Sequence, residues 1–134
     1  KLVFADTGLA TAILRLGSSR LRQEQIFGPA LENFVIIELA KQASWHEEQP
    51  ALYHFRTPKG IEVDVVLEFE GGEVVGVEVT QSQTVTNGDF RGLRELAKIT
   101  GKRFRAGVIL YLGRRVVPFG KNLSAVPLSA LWEW

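Results

Sequence analysis

The chain of 134 residues contains no cysteine and no methionine, and only two histidines. Without cysteine there are no disulfides, no thiolate metal sites and no sulfur nucleophile; this suits a reducing compartment, and a cytoplasmic location is expected. Neither His46 nor His54 has a second histidine at ligand spacing, so both read as ordinary surface or strand residues. Charge of one sign is also lacking. Sixteen basic against fifteen acidic residues leave a net charge of +1, so a case for nucleic acid must rest on a local patch. No apolar run approaches a membrane span, and no signal peptide is visible. The chain starts at Lys1, and with no methionine anywhere it reads as part of a longer polypeptide.

What is present is ordinary for a globular domain: 46% hydrophobic and 23% charged residues, enough for one real core. The most informative stretch is Ile61 to Thr80, IEVDVVLEFEGGEVVGVEVT. Ile61, Val63, Val65, Leu67 and Phe69 share one parity, and Val75, Val77 and Val79 share another around Gly71-Gly72. This is the period of a half-buried hairpin. Its two apolar faces match only across an odd-numbered loop, and three residues with a left-handed glycine meet that need. Asp64 then lies opposite Glu78 or one step diagonal to it. Two carboxylates so close need a shared proton or a cation, and a hard ion such as magnesium suits them. The competing reading is a solvated outer face with Glu62, Glu68 and Glu70.

Around this hairpin the pattern gives helices and strands in alternation. Asp6 or Thr7 caps a first helix carrying Leu9, Ile13 and Leu16, and Arg20 to Gln25 is polar loop. Gly28-Pro29 opens a second helix running to about Ala43, apolar over most of its circumference. Glu32 is its misfit, in the middle of an arc formed by Val35, Ile36, Leu39 and Ala43. A carboxylate there must be paired, hydrogen-bonded, metal-associated or set against the helix N-terminus. Leu52 to Arg56 reads as a strand. Asp89 caps a helix from Phe90 to Thr100 with Phe90, Leu93, Leu96 and Ala97 inward. Its other side carries Arg91, Arg94 and Lys98, which either touch phosphates or form a solvated face. AGVILYL, Ala106 to Leu112, suits a central strand covered on both faces. Val116 to Phe119 is another strand, Leu123 to Pro127 an edge element containing a proline, and Ser129 caps a final turn. The order predicts a mixed α/β sheet with helices on its faces.

Glu32 on a helix, then Asp64, then Glu78-Val79-Thr80 on the next strand resembles the PD-(D/E)xK nuclease superfamily, whose restriction-endonuclease-like fold is a mixed central sheet flanked by helices. The phrases FGPALENFVIIEL, YHFRTPKGIEVDVVLE, VGVEVTQSQTV and DFRGLRELA resemble something narrower: the uncharacterised C-terminal domain that follows an AAA-type P-loop ATPase module in many bacterial and archaeal proteins. That resemblance implies an ATPase module on the missing part of the polypeptide, with residues 1–25 leading in and 26–134 forming the nuclease-like domain. It implies Asp64 and Glu78 as magnesium ligands, the Val79 carbonyl as a third, and Glu32 as an orienting acid. The superfamily's lysine falls on Thr80. A hydroxyl carries no charge and cannot offset charge building on a phosphate; Lys98 or Arg94 would have to reach in instead. Three functions remain open: a magnesium-dependent DNA nuclease; a degenerate one serving as a nucleic-acid-binding, docking or regulatory module for its ATPase; or an oligomerisation domain.

Overall fold

The computed structural model describes residues 24–133. The helix expected around Leu9 and Ile13 lies outside the described residues. Helix α1, Glu24–Trp45, is followed by strands β1 (Ala51–Arg56), β2 (Glu62–Glu68) and β3 (Val74–Val79). A 3-10 turn, Asn87–Phe90, leads into α2 (Arg91–Thr100), and Gly101–Arg103 leads into β4 (Phe104–Tyr111). Strands β5 (Val117–Pro118) and β6 (Leu123–Pro127) and a last 3-10 turn, Leu128–Leu131, complete the fold. The mixed sheet has the order β1-β2-β3-β4-β6-β5. The β1–β2–β3 portion is antiparallel; β3, β4 and β6 are parallel; β5 returns antiparallel at the far edge.

The hairpin has the expected register, with Val65 opposite Val77 and Leu67 opposite Val75. Phe69 N–H donates to the Glu73 carbonyl, leaving a three-residue loop in which Gly72 takes φ +85°. One core packs against α1 and contains Val35, Val65, Val77 and Leu110; the other packs against α2 and contains Val63, Val74, Phe90, Leu93, Leu96 and Ile109. Val63 and Val65, which share a parity, therefore lie in different cores. The cause is a β-bulge. Tyr53 pairs with Val66 but Phe55 with Val63, so Asp64 and Val65 together oppose His54. The extra residue reverses the alternation at Asp64.

Other departures have local causes. Helix α1 begins at Glu24 rather than at Gly28, with Pro29 inside it. Packing of Leu31, Val35 and Ala43 outweighs the one backbone donor a proline removes. Asp89 does not open α2. It sits at the third position of the preceding 3-10 turn and accepts from Thr86 N–H at 2.7 Å in a capping box. Strand β6 is no edge: it lies between β4 and β5, with Pro127 at its end and the two-residue β5 outside it. The last turn follows Pro127 rather than a Ser129 cap.

Helix α2 seats closely on the sheet because residue 92 is glycine. A Cβ there would collide with the Glu62 carbonyl and with Glu78 Oε1. On an exposed helix, replacing glycine by alanine stabilises by about 1 kcal/mol. Here the backbone carbonyl cannot give way, so Gly92→Ala is expected to destabilise by about 1–3 kcal/mol in urea unfolding; a gain in stability would contradict the close docking of α2.

Candidate functional site

The parallel strands β3 and β4 run toward one end of the sheet, and the antiparallel register brings the start of β2 to the same end. One step beyond the Val65–Val77 pair, where the ladder ends, lie Asp64 on β2 and Glu78 on β3. The bulge frees Asp64 to use its side chain where the ladder would use backbone: Asp64 Oδ2 accepts from Val79 N–H at 2.9 Å. Glu78 lies on the α2 face, and its Oε1 is buried without a hydrogen bond, against Gly92. Burial, then the negative charges of Asp64 and Asp89, push the Glu78 carboxyl up from 4.5 to about 7, against the opposing pull of the Leu93 backbone N–H. The structure thus brings together two of the three acids singled out from the sequence.

The remaining residues fall as follows. Glu32 is half-buried on α1, with Oε1 fully buried, on the helix that packs against the opposite face of the sheet from α2. Among the described residues no group of three or more histidines and acids is arranged to hold a metal. Thr80 continues β3 beside β4, its N–H donating to the Leu110 carbonyl at 2.9 Å, and its hydroxyl accepts from Ser82 N–H at 3.2 Å. That oxygen braces the turn leaving the strand. Arg91 is exposed at the start of α2. Arg94 is engaged: its guanidinium donates to the Asn87 carbonyl at 2.6 Å and to Asn87 Oδ1, and lies 5.7 Å over the Phe90 ring. Lys98 sits seven residues beyond Arg91, about 10 Å further down the helix and away from the acids. The three basic residues on α2 therefore do not act at one place.

No histidine enters the pair. His46 meets the Phe69 ring edge-on, and His54 Nδ1 lies 3.3 Å from the Asp64 backbone carbonyl. Two grooves, of about 530 and 320 Å³, run along the C-terminal half of α1 and are lined by Trp45, Leu131, Ala43 and Leu52. Neither includes Asp64 or Glu78. The sequence could have pointed to Asp89 and Gly92, one residue either side of Phe90 and Arg91, only through knowledge of how α2 docks.

Fold and site define a mixed α/β domain with a pair of carboxylates at the end of its sheet where the parallel strands finish. The chain belongs to the family described as a domain of unknown function, DUF4143, which matches residues 27–131. Neither a curated protein nor a solved structure matches the chain. No helix among the described residues is long and apolar enough to cross a membrane.

The raised carboxyl has a measurable consequence. Between about pH 4.5 and 7 the folded chain keeps a proton on Glu78 that the unfolded chain has lost. Stability from this group is therefore full below 4.5 and falls as pH rises through 7, by on the order of 2 kcal/mol once solvent screening of a partly exposed group is allowed for. Urea midpoints measured from pH 4.5 to 8 are expected to lose this downward component in Glu78→Gln; an unchanged profile would contradict the burial of the carboxylate.

Proposed function

We propose that this is a nuclease-like domain of the PD-(D/E)xK kind in which the hydrolytic machinery has lost its cationic member. In this reading it serves an ATPase module on the same polypeptide as a nucleic-acid-binding, docking or regulatory part. The observation that carries the reading is the Asp64–Glu78 pair beside a threonine whose uncharged hydroxyl stands where the superfamily has its lysine and accepts from Ser82 N–H. The donor set fits a magnesium ion. Two carboxylates and a backbone carbonyl are hard oxygen ligands, magnesium keeps several waters of its own, and a cation relieves the repulsion that raises Glu78. Asp64, Glu78 and the Val79 carbonyl would hold it, and it would supply positive charge for binding or polarising a phosphate.

The chain's own residues supply little beyond that. Val79 N–H holds Asp64 in orientation. The Thr80 oxygen, receiving the Ser82 N–H, can orient a neighbour but carries no charge. Arg94 is bound to Asn87, and Lys98 lies down the helix, so neither occupies the place a lysine at position 80 would fill. Loss of one such charge-stabilising group costs about 10²–10³ in rate where it has been measured in enzymes.

The test is cleavage of plasmid and single-stranded DNA with magnesium or manganese. The chain as it stands is expected to cut neither. Thr80→Lys is expected to gain cutting, and adding Asp64→Ala to that variant to abolish it. Cutting by the unmodified chain that Asp64→Ala abolishes would instead make it an active nuclease.

A further inference from the structure

The arginines around the sheet are mostly spoken for. Arg56 pairs with Glu62 at 3.3 Å, Arg103 with Glu68 at 3.7 Å and Arg105 with Glu73 at 3.0 Å, while Arg94 grips Asn87. Two adjacent ones are not. Arg114 and Arg115 are exposed on the turn between β4 and β5 and form no ion pair among the described residues. This turn leaves β4 at the same end of the sheet as Asp64 and Glu78, one strand over from β3, where neighbouring strands are about 4.8 Å apart.

The turn is also fixed to that end. Leu112 N–H donates to the Ser82 carbonyl at 3.0 Å, which joins it to the segment after Thr80. The hydroxyl of Tyr111, a core residue on the α2 face, donates to the Arg115 carbonyl. Gly113 lies so close to the Tyr111 ring that a Cβ would collide with it. Backbone held at both ends presents two guanidiniums from a defined place, so less freedom is lost when they meet a ligand. Val116, 64% exposed, adds an apolar surface beside them.

We infer that the Gly113–Val116 turn is the phosphate-contacting element of this domain, with Arg114 and Arg115 binding the backbone of a nucleic-acid strand that runs past Asp64 and Glu78. The inference rests on the nucleic-acid reading above and goes beyond it by assigning the contact to this turn. Guanidiniums suit the ligand because each presents a planar fork of donors to phosphate oxygens. An acid pair at the centre repels phosphates, so the strand needs anchoring from a neighbouring cationic element.

The test is fluorescence anisotropy with labelled single-stranded and duplex oligonucleotides across a range of salt. Arg114→Ala with Arg115→Ala is compared with Lys102→Ala with Lys121→Ala, which removes equal charge from turns at the other end of the sheet. The arginine pair is expected to weaken binding about tenfold or more and to lower the duplex salt slope by about 2, against at most about twofold weakening for the lysine pair. Equal losses in both variants, or none in the arginine variant while the chain binds DNA, would overturn the inference and leave the nuclease-like reading standing. No binding by the unmodified chain would overturn both the inference and the nucleic-acid-binding role it rests on. Sedimentation with phosphatidylserine vesicles in place of oligonucleotide binding would assign the turn to a membrane surface and overturn it too.

Discussion

The Glu78 carboxylate, held under the first turn of a helix and beside a second carboxylate, constrains most of what surrounds it. For Glu78 to lie there, β3 must pair with β2 in a register that brings Asp64 alongside. Residue 92 must be glycine, or α2 is lifted off the sheet. Strand β2 must carry a bulge, so that Val63 and Val65 fill different cores while Asp64 turns its carboxylate to the Val79 N–H. Each arrangement is sound on its own in packing terms. Together they leave one carboxyl with a pKa of about 7, a cost that only a proton or a cation removes.

A half-buried, repelling pair of acids is poor material for stability and good material for binding something positive. That is the physical ground for reading the pair as a retained cation site. The hydroxyl of Thr80, tied to Ser82, is the physical ground for reading hydrolysis as lost. Charge of the opposite kind is nearby but on another element, at Arg114 and Arg115. On the proposed reading, the acid pair and the guanidiniums at the same end of the sheet would hold a polyanion without breaking it.

Much of this was legible in the residues. Alternation around Gly71-Gly72 gave the hairpin, and the matching of apolar faces gave its three-residue loop, because a slip of one residue would have turned every valine to the wrong side. The central position of AGVILYL followed from its lack of alternation. The bulge was not legible: Val63 and Val65 look alike in a two-residue period, and only the partner strand reveals the extra residue. The start of α1 was missed because proline marks helix starts on average, whereas here tertiary packing carries the helix back past Pro29. Arg94 looked like a free cation, since its hold on Asn87 depends on the 3-10 turn before α2. The place of the Arg114-Arg115 turn, at the same end of the sheet as the acids, follows only from the strand order.

The central claim is that Asp64 and Glu78 form one cation site, and calorimetric titration with manganese at pH 6 and pH 8 tests it most directly. The account predicts one ion per chain, a heat that varies with buffer ionisation at pH 6 because Glu78 must give up its proton, little such variation at pH 8, and loss of binding in Asp64→Ala. Absence of binding at both pH values, or binding that Asp64→Ala leaves intact, would contradict it.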